Sequence, residues 1–301
     1  MDIALQIGGS VVRLHEPKDY PCLAWPLRPF DLFAAPAGTD PDIQVDISLT
    51  CPLPEIETGP LLFDSGHGLW KLFESASGLV AESLDTGTLQ PRTRALISED
   101  YRIVRAWILP DLQDGQVGWC PMHVFNPIVE LCVLSRLARE GGILLHASGL
   151  SFHEQGFVFT GPSGAGKSTI AQLFADRGAF VLSDERVIIR RRGRATRVYG
   201  TPWVGSGDYA ANDSAPLTRL YCIGHAQERH RLDHLSPSKT MSLLLQQAFL
   251  PYWDRTAMDN TLEFLASLMT QVPCSGLMFL KQTDVIEVVL HHAPDCSVAI
   301  L

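Results

Sequence analysis

Apolar and polar positions alternate most strictly along Ile43-Gln44-Val45-Asp46-Ile47-Ser48-Leu49. A period of two predicts a strand with one buried face and one wet face. Weaker patterns of this kind cover Ile3 to Val12, Gly68 to Phe73, Leu79 to Ser83 and Tyr101 to Leu109, punctuated by Pro36-Ala37-Gly38 and Thr58-Gly59-Pro60. Residues 1–125 therefore read as a β-rich domain, a structural layer with no recognisable chemistry. At Asn126 the period changes. Ile128, Leu131, Cys132, Leu134, Ser135 and Ala138 fall on one face of a helix running to Glu140, with Asn126 as its cap, Pro127 at the first helical position and Gly141-Gly142 as its stop.

Two short apolar strands follow, Ile143 to Ala147 and Gly156 to Thr160, expected side by side in one sheet. Thr169 to Ala175 reads as a helix with Ile170, Leu173 and Phe174 on one face, closed by Gly178. Next come a strand at Ala179 to Leu182, a hairpin of Val187–Arg192 with Ala195–Tyr199, and a flexible glycine-rich loop from Gly200 to Gly207. After these lie a strand at Leu217 to Ile223 and a charged loop from Gly224 to His234. Ser236 and Pro237 open a helix to about Leu250, Arg255 to Gln271 forms another, and Gly276–Lys281 and Val285–His291 read as closing strands. The fold class expected is α/β (α+β): a P-loop domain with a mixed sheet over residues 126–301, preceded by the smaller β-rich domain.

Composition narrows the partners. The 301 residues are 46% hydrophobic and 19% charged, as in an ordinary globular protein, and carry a net charge of −9. An acidic chain is a poor general binder of nucleic acid, because phosphate contacts need a basic surface. No apolar run approaches a membrane span, and Met1-Asp2-Ile3-Ala4 lacks the basic start of a signal peptide. A cytoplasmic protein without membrane contact is expected. The seven cysteines, Cys22, Cys51, Cys120, Cys132, Cys222, Cys274 and Cys296, are scattered with no C-x-x-C pair. Neither a zinc site nor a disulfide framework is indicated, and reduced thiols suit a cytoplasm.

The chemistry concentrates at Gly161-Pro162-Ser163-Gly164-Ala165-Gly166-Lys167-Ser168-Thr169, which matches G-x-x-x-x-G-K-[ST] between a predicted strand and a predicted helix. Glycines let the backbone wrap a polyphosphate, consecutive N–H groups converge on the anion, and the helix N-terminus adds its positive dipole end. Lys167 is expected at the β/γ-phosphates and Ser168 on Mg²⁺, so the chain is expected to bind ATP. ATP is not distinguished from GTP, since no base-reading motif such as N-K-x-D occurs.

Asp184 and Glu185 end the strand that follows the loop's own helix, where a metal-facing carboxylate is needed. One acid would face Mg²⁺ and the other would take a proton from an attacking hydroxyl. His146 lies in a strand expected beside the one entering the loop, which would bring its imidazole near the terminal phosphate. Arg190, Arg191, Arg192, Arg194 and Arg197 could supply a phosphate clamp or an arginine finger, but most of them read as the wet face of a hairpin. His225, Arg229, His230, Arg231 and His234 read as a solvated loop whose spacing fits no metal motif.

With these residues placed, residues 126–301 resemble the catalytic domain of HPr kinase/phosphorylase and its relatives of the phosphoenolpyruvate-carboxykinase-type nucleotide fold. The resemblance rests on Ile143-Leu144-Leu145-His146-Ala147-Ser148-Gly149, the phosphate loop, Val181-Leu182-Ser183-Asp184-Glu185-Arg186-Val187, and the short interval from Lys167 to Asp184. It implies Asp184 as general base toward a serine hydroxyl, with Ser168 and Glu185 holding Mg²⁺. The chain departs from HPr kinase proper at Pro162, where the family has Asp, and at Glu185, where it has a second Asp. A divergent member is implied, a Mg²⁺/ATP-dependent kinase acting on a peptide, a protein or a small hydroxyl compound. Related enzymes assemble, so a homo-oligomer is compatible with the resemblance, although the residues themselves do not specify one. The rival expectation is a nucleotide-binding regulatory or assembly module with little or no ATPase activity.

Overall fold

The computed structural model describes residues 2–66, 69–85, 87–193 and 195–291; Gly68, Arg194 and Cys296 lie outside the described residues. The chain divides into two compact units, one of Met1–Glu140 with Pro251–Asp259 and one of Gly141–Leu250 with Asn260–Leu301.

In the first unit the stretch expected as one strand is a hairpin, β1 (Ile3–Ile7) and β2 (Ser10–His15). Gly8 and Gly9 take φ of 58° and 84°, the positive values that both central residues of a two-residue hairpin turn require. β3 (Ile43–Leu49) buries Ile43, Val45 and Ile47, the apolar half of its alternation. β4 (Leu61–Asp64), β5 (Trp70–Ser75), β6 (Gly78–Leu84), β7 (Pro91–Ile97) and β8 (Ile103–Ile108) complete an eight-stranded sheet in the order β1-β2-β3-β8-β7-β6-β5-β4. The pairs β2–β3 and β3–β8 are parallel and the rest antiparallel. β9 (Asp111–Gln113) and β10 (Gln116–Gly118) form a separate ribbon.

The helix expected from Asn126 to Glu140 differs in its entry and in its unit. A turn of helix, α1 (Met122–Val124), passes through a wide turn at Phe125–Val129 into α2 (Glu130–Arg139), and all of this belongs to the first unit. Asn126 is extended (φ −123°, ψ 122°), as a residue before proline tends to be, and α2 itself begins behind Val129, later than expected. The chain returns to this unit at Pro251–Asp259. Trp253 sets its ring edge-on to Phe63 and Trp70, at 5.3 and 5.7 Å, and donates Nε1–H to the Ser135 hydroxyl. Asp254 accepts from Arg139 Nη2 (2.6 Å) and Nε (3.0 Å), from the Tyr101 hydroxyl (3.2 Å) and from the Ala257 amide (3.0 Å).

The second unit is built on two long strands, β11 (Gly142–Phe152) and a later partner. β12 (Gln155–Thr160) returns antiparallel beside β11, α3 (Lys167–Ala175) leaves it, and β13 (Phe180–Ser183) pairs with the far half of β11. The hairpin is β14 (Arg186–Arg192) with β15 (Ala195–Tyr199), and the second long strand is β16 (Ser214–His225). The near half of β11 pairs with β14 and its far half with β12; β16 pairs first with β15 and then, in parallel, with β12. The path β12-β11-β14-β15-β16 thus closes back on β12. β17 (Arg231–His234) lies in the segment expected as a loop, and α4 (Pro237–Gln247) begins behind Ser236, whose hydroxyl accepts from the Lys239 amide. β18 (Ala248–Phe249) joins β11, α5 (Arg255–Gln271) follows, and β19 (Cys274–Phe279) lies between β16 and β17.

Val285–His291, expected as a strand, is helix α6; Val285, Ile286 and Val289 are its buried residues, a spacing of one helical face. Side-chain alternation in the central strands makes two cores. Phe157, Phe159, Tyr221 and Ile223 pack with Phe174 of α3 and Val289 of α6, whereas Val158, Leu220 and Cys222 pack with Leu244 of α4 and Leu265 and Leu268 of α5. Each such large side chain contributes roughly 1.5–3 kcal/mol by leaving water. Between these two cores Thr160, the last residue of β12, stands opposite Cys222 of β16, which stands opposite Gly276 within β19. Among the described residues no helix is long and apolar enough to cross a membrane.

Burial alone would raise the Asp254 carboxyl, but the Ala257 amide, Arg139 and the Tyr101 hydroxyl outweigh it and hold the group below its ordinary value. A depressed carboxyl adds stability above its unfolded-state value and loses it as pH falls through the folded one. Asp254→Ala is therefore expected to cost about 2 kcal/mol at neutral pH and to flatten the acid limb of the stability curve. Urea unfolding at several pH values checks both; wild-type stability in the variant would remove this role.

Candidate functional site

The loop between β12 and α3 has the backbone its glycines predict. Gly164 and Gly166 take φ of 80° and 100°, and a Cβ on Gly166 would stand 2.7 Å from the Phe279 ring. Gly166 is the N-terminal boundary of α3 and offers no side chain to cap it, so the amides of the first turn remain open to an anion. Ser163 and Gly164 are exposed at the crest, Ala165 is buried beneath them and Thr169 is half-buried in the first turn. The Ala165 amide closes a turn on the Pro162 carbonyl, and His225 Nε2–H donates to the Gly164 carbonyl at 2.7 Å.

Lys167 is buried, and its ammonium folds back to donate to the carbonyls of Gly161 (2.9 Å) and Pro162 (3.2 Å). Burial pulls its pKa below the ordinary lysine value, and the Glu185 charge opposes that. The Ser148 hydroxyl of β11 donates to the Lys167 carbonyl at 2.8 Å and the Thr160 hydroxyl to the His146 carbonyl at 3.0 Å, tying the loop's two flanks to the neighbouring strand.

The two carboxylates divide. β13 ends at Ser183 against Gly149 of β11, which leaves Asp184 and Glu185 beside the loop. Asp184 is fully buried (0% exposed); its Oδ2 accepts from the Ser168 hydroxyl (3.2 Å) and the Gly207 amide (2.7 Å), and its Oδ1 from the Gly205 amide (3.2 Å). Glu185, expected beside Ser168, turns instead to His146, whose Nδ1 lies 3.2 Å from Glu185 Oε1 and 3.1 Å from the Glu185 carbonyl. With Nδ1–H donated to Glu185, the neutral imidazole keeps the lone pair on Nε2. Burial, then the charge of Lys167, lowers the His146 pKa from its ordinary value, outweighing the Glu185 carboxylate.

Sequence reasoning brought together Lys167, Ser168, Asp184, Glu185 and His146, and missed two contributors. The Gly200–Gly207 stretch, expected as a flexible loop, places two amides on Asp184. The signal was the glycines themselves: a Cβ on Gly207 would lie 2.6 Å from Asp184 Oδ2, and one on Gly205 3.1 Å. His225, expected in a solvated loop, clamps Gly164. The basic residues mostly bond elsewhere: Arg191 reaches the Ser267 hydroxyl, Arg197 reaches Ser214, Arg231 pairs with Asp233 and His230 with Asp284.

Among the described residues no group of three or more His, Cys, Asp or Glu side chains forms a metal centre. A small hard cation needs less from the protein, one or two oxygens with phosphate and water completing its shell. The hydroxyl of Ser168 and the carboxylate of Asp184 are such oxygens and already stand at hydrogen-bond distance.

No family model matches this chain, and no curated protein matches it. Among solved structures, the Hpr(Ser) kinase/phosphatase from Coxiella burnetii aligns with 49% of this chain and 93% of its own, at a TM-score of 0.30 and 14% identity. That likeness is too slight to assign a fold or an activity.

Two measurements test this geometry. In an NMR titration His146 is expected below 6.5, and Lys167→Ala is expected to move it upward by removing a neighbouring positive charge; an unchanged value would separate the two groups. Gly207→Ala is expected to speed amide exchange over residues 205–208 by about tenfold or more, as the loop yields to the added methyl group. Equal protection in the variant would remove the glycine requirement.

Proposed function

We propose that this chain is a Mg²⁺/ATP-dependent phosphotransferase that moves the γ-phosphoryl group to a hydroxyl, that of a serine in a peptide or protein or of a small molecule. The observation that carries the reading is the convergence of a buried lysine, a serine–aspartate pair and a histidine facing Glu185 at one end of a glycine loop. Phosphoryl transfer asks a protein for positioning and charge neutralisation more than for covalent help.

The loop amides and the open first turn of α3 would bind the phosphates, and Lys167 would exchange the Gly161 and Pro162 carbonyls for the terminal ones. Ser168 and Asp184 would hold Mg²⁺, which when bound supplies positive charge to the transferring group. The acceptor oxygen forms the new bond to phosphorus, the bond to the β–γ bridging oxygen breaks, and ADP leaves. The hydroxyl proton passes to His146 Nε2, with Glu185 orienting the ring through Nδ1. This exchanges the carboxylate roles implied by family resemblance, because Asp184 rather than Glu185 meets Ser168.

Transfer from γ-labelled ATP tests the reading. Asp184→Asn is expected to keep ATP binding, lose transfer and need more Mg²⁺. His146→Gln is expected to lose roughly 10²–10⁴ in rate with its Mg²⁺ dependence unchanged. Wild-type rates in both variants would end this assignment. Tight ATP binding with no phosphorylated product from any acceptor would instead support a nucleotide-binding regulatory module.

A further inference from the structure

We propose that a cavity beside the entry of the glycine loop receives the aliphatic side chain two positions from the phosphorylated hydroxyl of a peptide acceptor, a proposal that rests on the phosphotransferase reading. The cavity, of 250 Å³, lies beside Thr160 at the end of β12, Ile223 and Gly224 near the end of β16, and Met278 near the end of β19, with Cys222 and Gly276 one step further back. Ligands of parallel strands gather at that end.

The lysine decides which end of a nucleotide the cavity faces. Gly161 and Pro162 wall the cavity, and their carbonyls hold the Lys167 ammonium. A lysine at this position of the motif serves the terminal phosphates, so the cavity adjoins the transferring group. The other end of the loop is covered differently, by His225 on Gly164 and Phe279 against Gly166.

The lining decides the acceptor class. It contains no lysine, arginine or histidine, and its one charged group, Asp233, is bonded to Arg231 at 2.7 and 3.0 Å. An anionic small acceptor would find no counter-charge there. An aliphatic side chain would meet Ile223, Leu235, Leu243 and Met278, the last a flexible gap-filler. Gln247 on α4 also lines the cavity, and its amide offers both donor and acceptor groups to a main chain. An extended peptide advances about 3.3 Å per residue with neighbouring side chains on opposite sides. Residues two apart therefore share a side, so a hydroxyl at the lysine end and an aliphatic side chain two positions away in the cavity are compatible with one strand-like segment.

The test is transfer from ATP and Mg²⁺ into serine peptides degenerate at each flanking position. Wild type is expected to favour Leu, Ile, Val or Met over Gly, Asp and Lys two positions away on one flank by about tenfold or more. Leu243→Trp, which fills the cavity, is expected to abolish that preference, and Gln247→Glu to shift it toward Lys, with calorimetric ATP affinity as the folding control. A flat profile, a preference unchanged in both variants, or phosphorylation of small hydroxyl compounds alone would overturn the pocket and leave the phosphotransferase standing. ATP binding without any product would overturn both.

Discussion

An ammonium group withdrawn from water must be met by acceptors, and Lys167 meets them on the loop it belongs to. Burying a charge without partners is costly, and the carbonyls of Gly161 and Pro162 offset part of that cost. Much of the second unit serves this arrangement. β12 delivers Gly161, Phe279 lies where any side chain on Gly166 would stand, and Phe174 anchors α3 in one of the two cores. The Ser148 hydroxyl fixes the lysine's own carbonyl to β11, the strand that carries His146. The loop is thus held in shape by its own carbonyls on Lys167, by the turn at Pro162 and by His225 on Gly164.

Around that lysine the titratable groups are sorted by their access to water. Asp184 is dry and engaged by two amides and a hydroxyl, whereas Glu185 and His146 are only half-buried and face each other. Adjacent residues at a strand end point in different directions, so one Asp-Glu dipeptide supplies two environments. Under the proposed phosphotransferase reading, that division, more than the identity of either acid, would let a cation-facing role and a proton-handling role coexist within one turn.

Legibility followed the physics of each element. The glycine loop could be read because its glycines, its lysine and its flanks are all local requirements, and β3 because a sheet with one wet face prints its period in the sequence. Ser236 could be read as a cap because its hydroxyl has one local task. Val285–His291 could not, since seven mostly apolar residues suit a strand or a buried helix and only the tertiary position of Val285, Ile286 and Val289 decides. The start of α2 could not be read, since a wide turn at Phe125–Val129 precedes Glu130 and no capping pattern announces it. The amides of Gly205 and Gly207 act on a carboxylate some twenty residues earlier in the chain, a relation that no local pattern contains.

The excursion of Pro251–Asp259 into the first unit also bears on how such a protein is inherited. Neither unit is one uninterrupted gene segment. A single crossover at residue 140 would carry off the glycine loop together with Trp253 and Asp254, leaving Ser135, Tyr101 and Arg139 without the partners they bind. Recombination that exchanges the second unit for another must therefore make three cuts or bring compensating changes with it. This inserted stretch acts as a lock on domain shuffling, and it favours the descent of both units together.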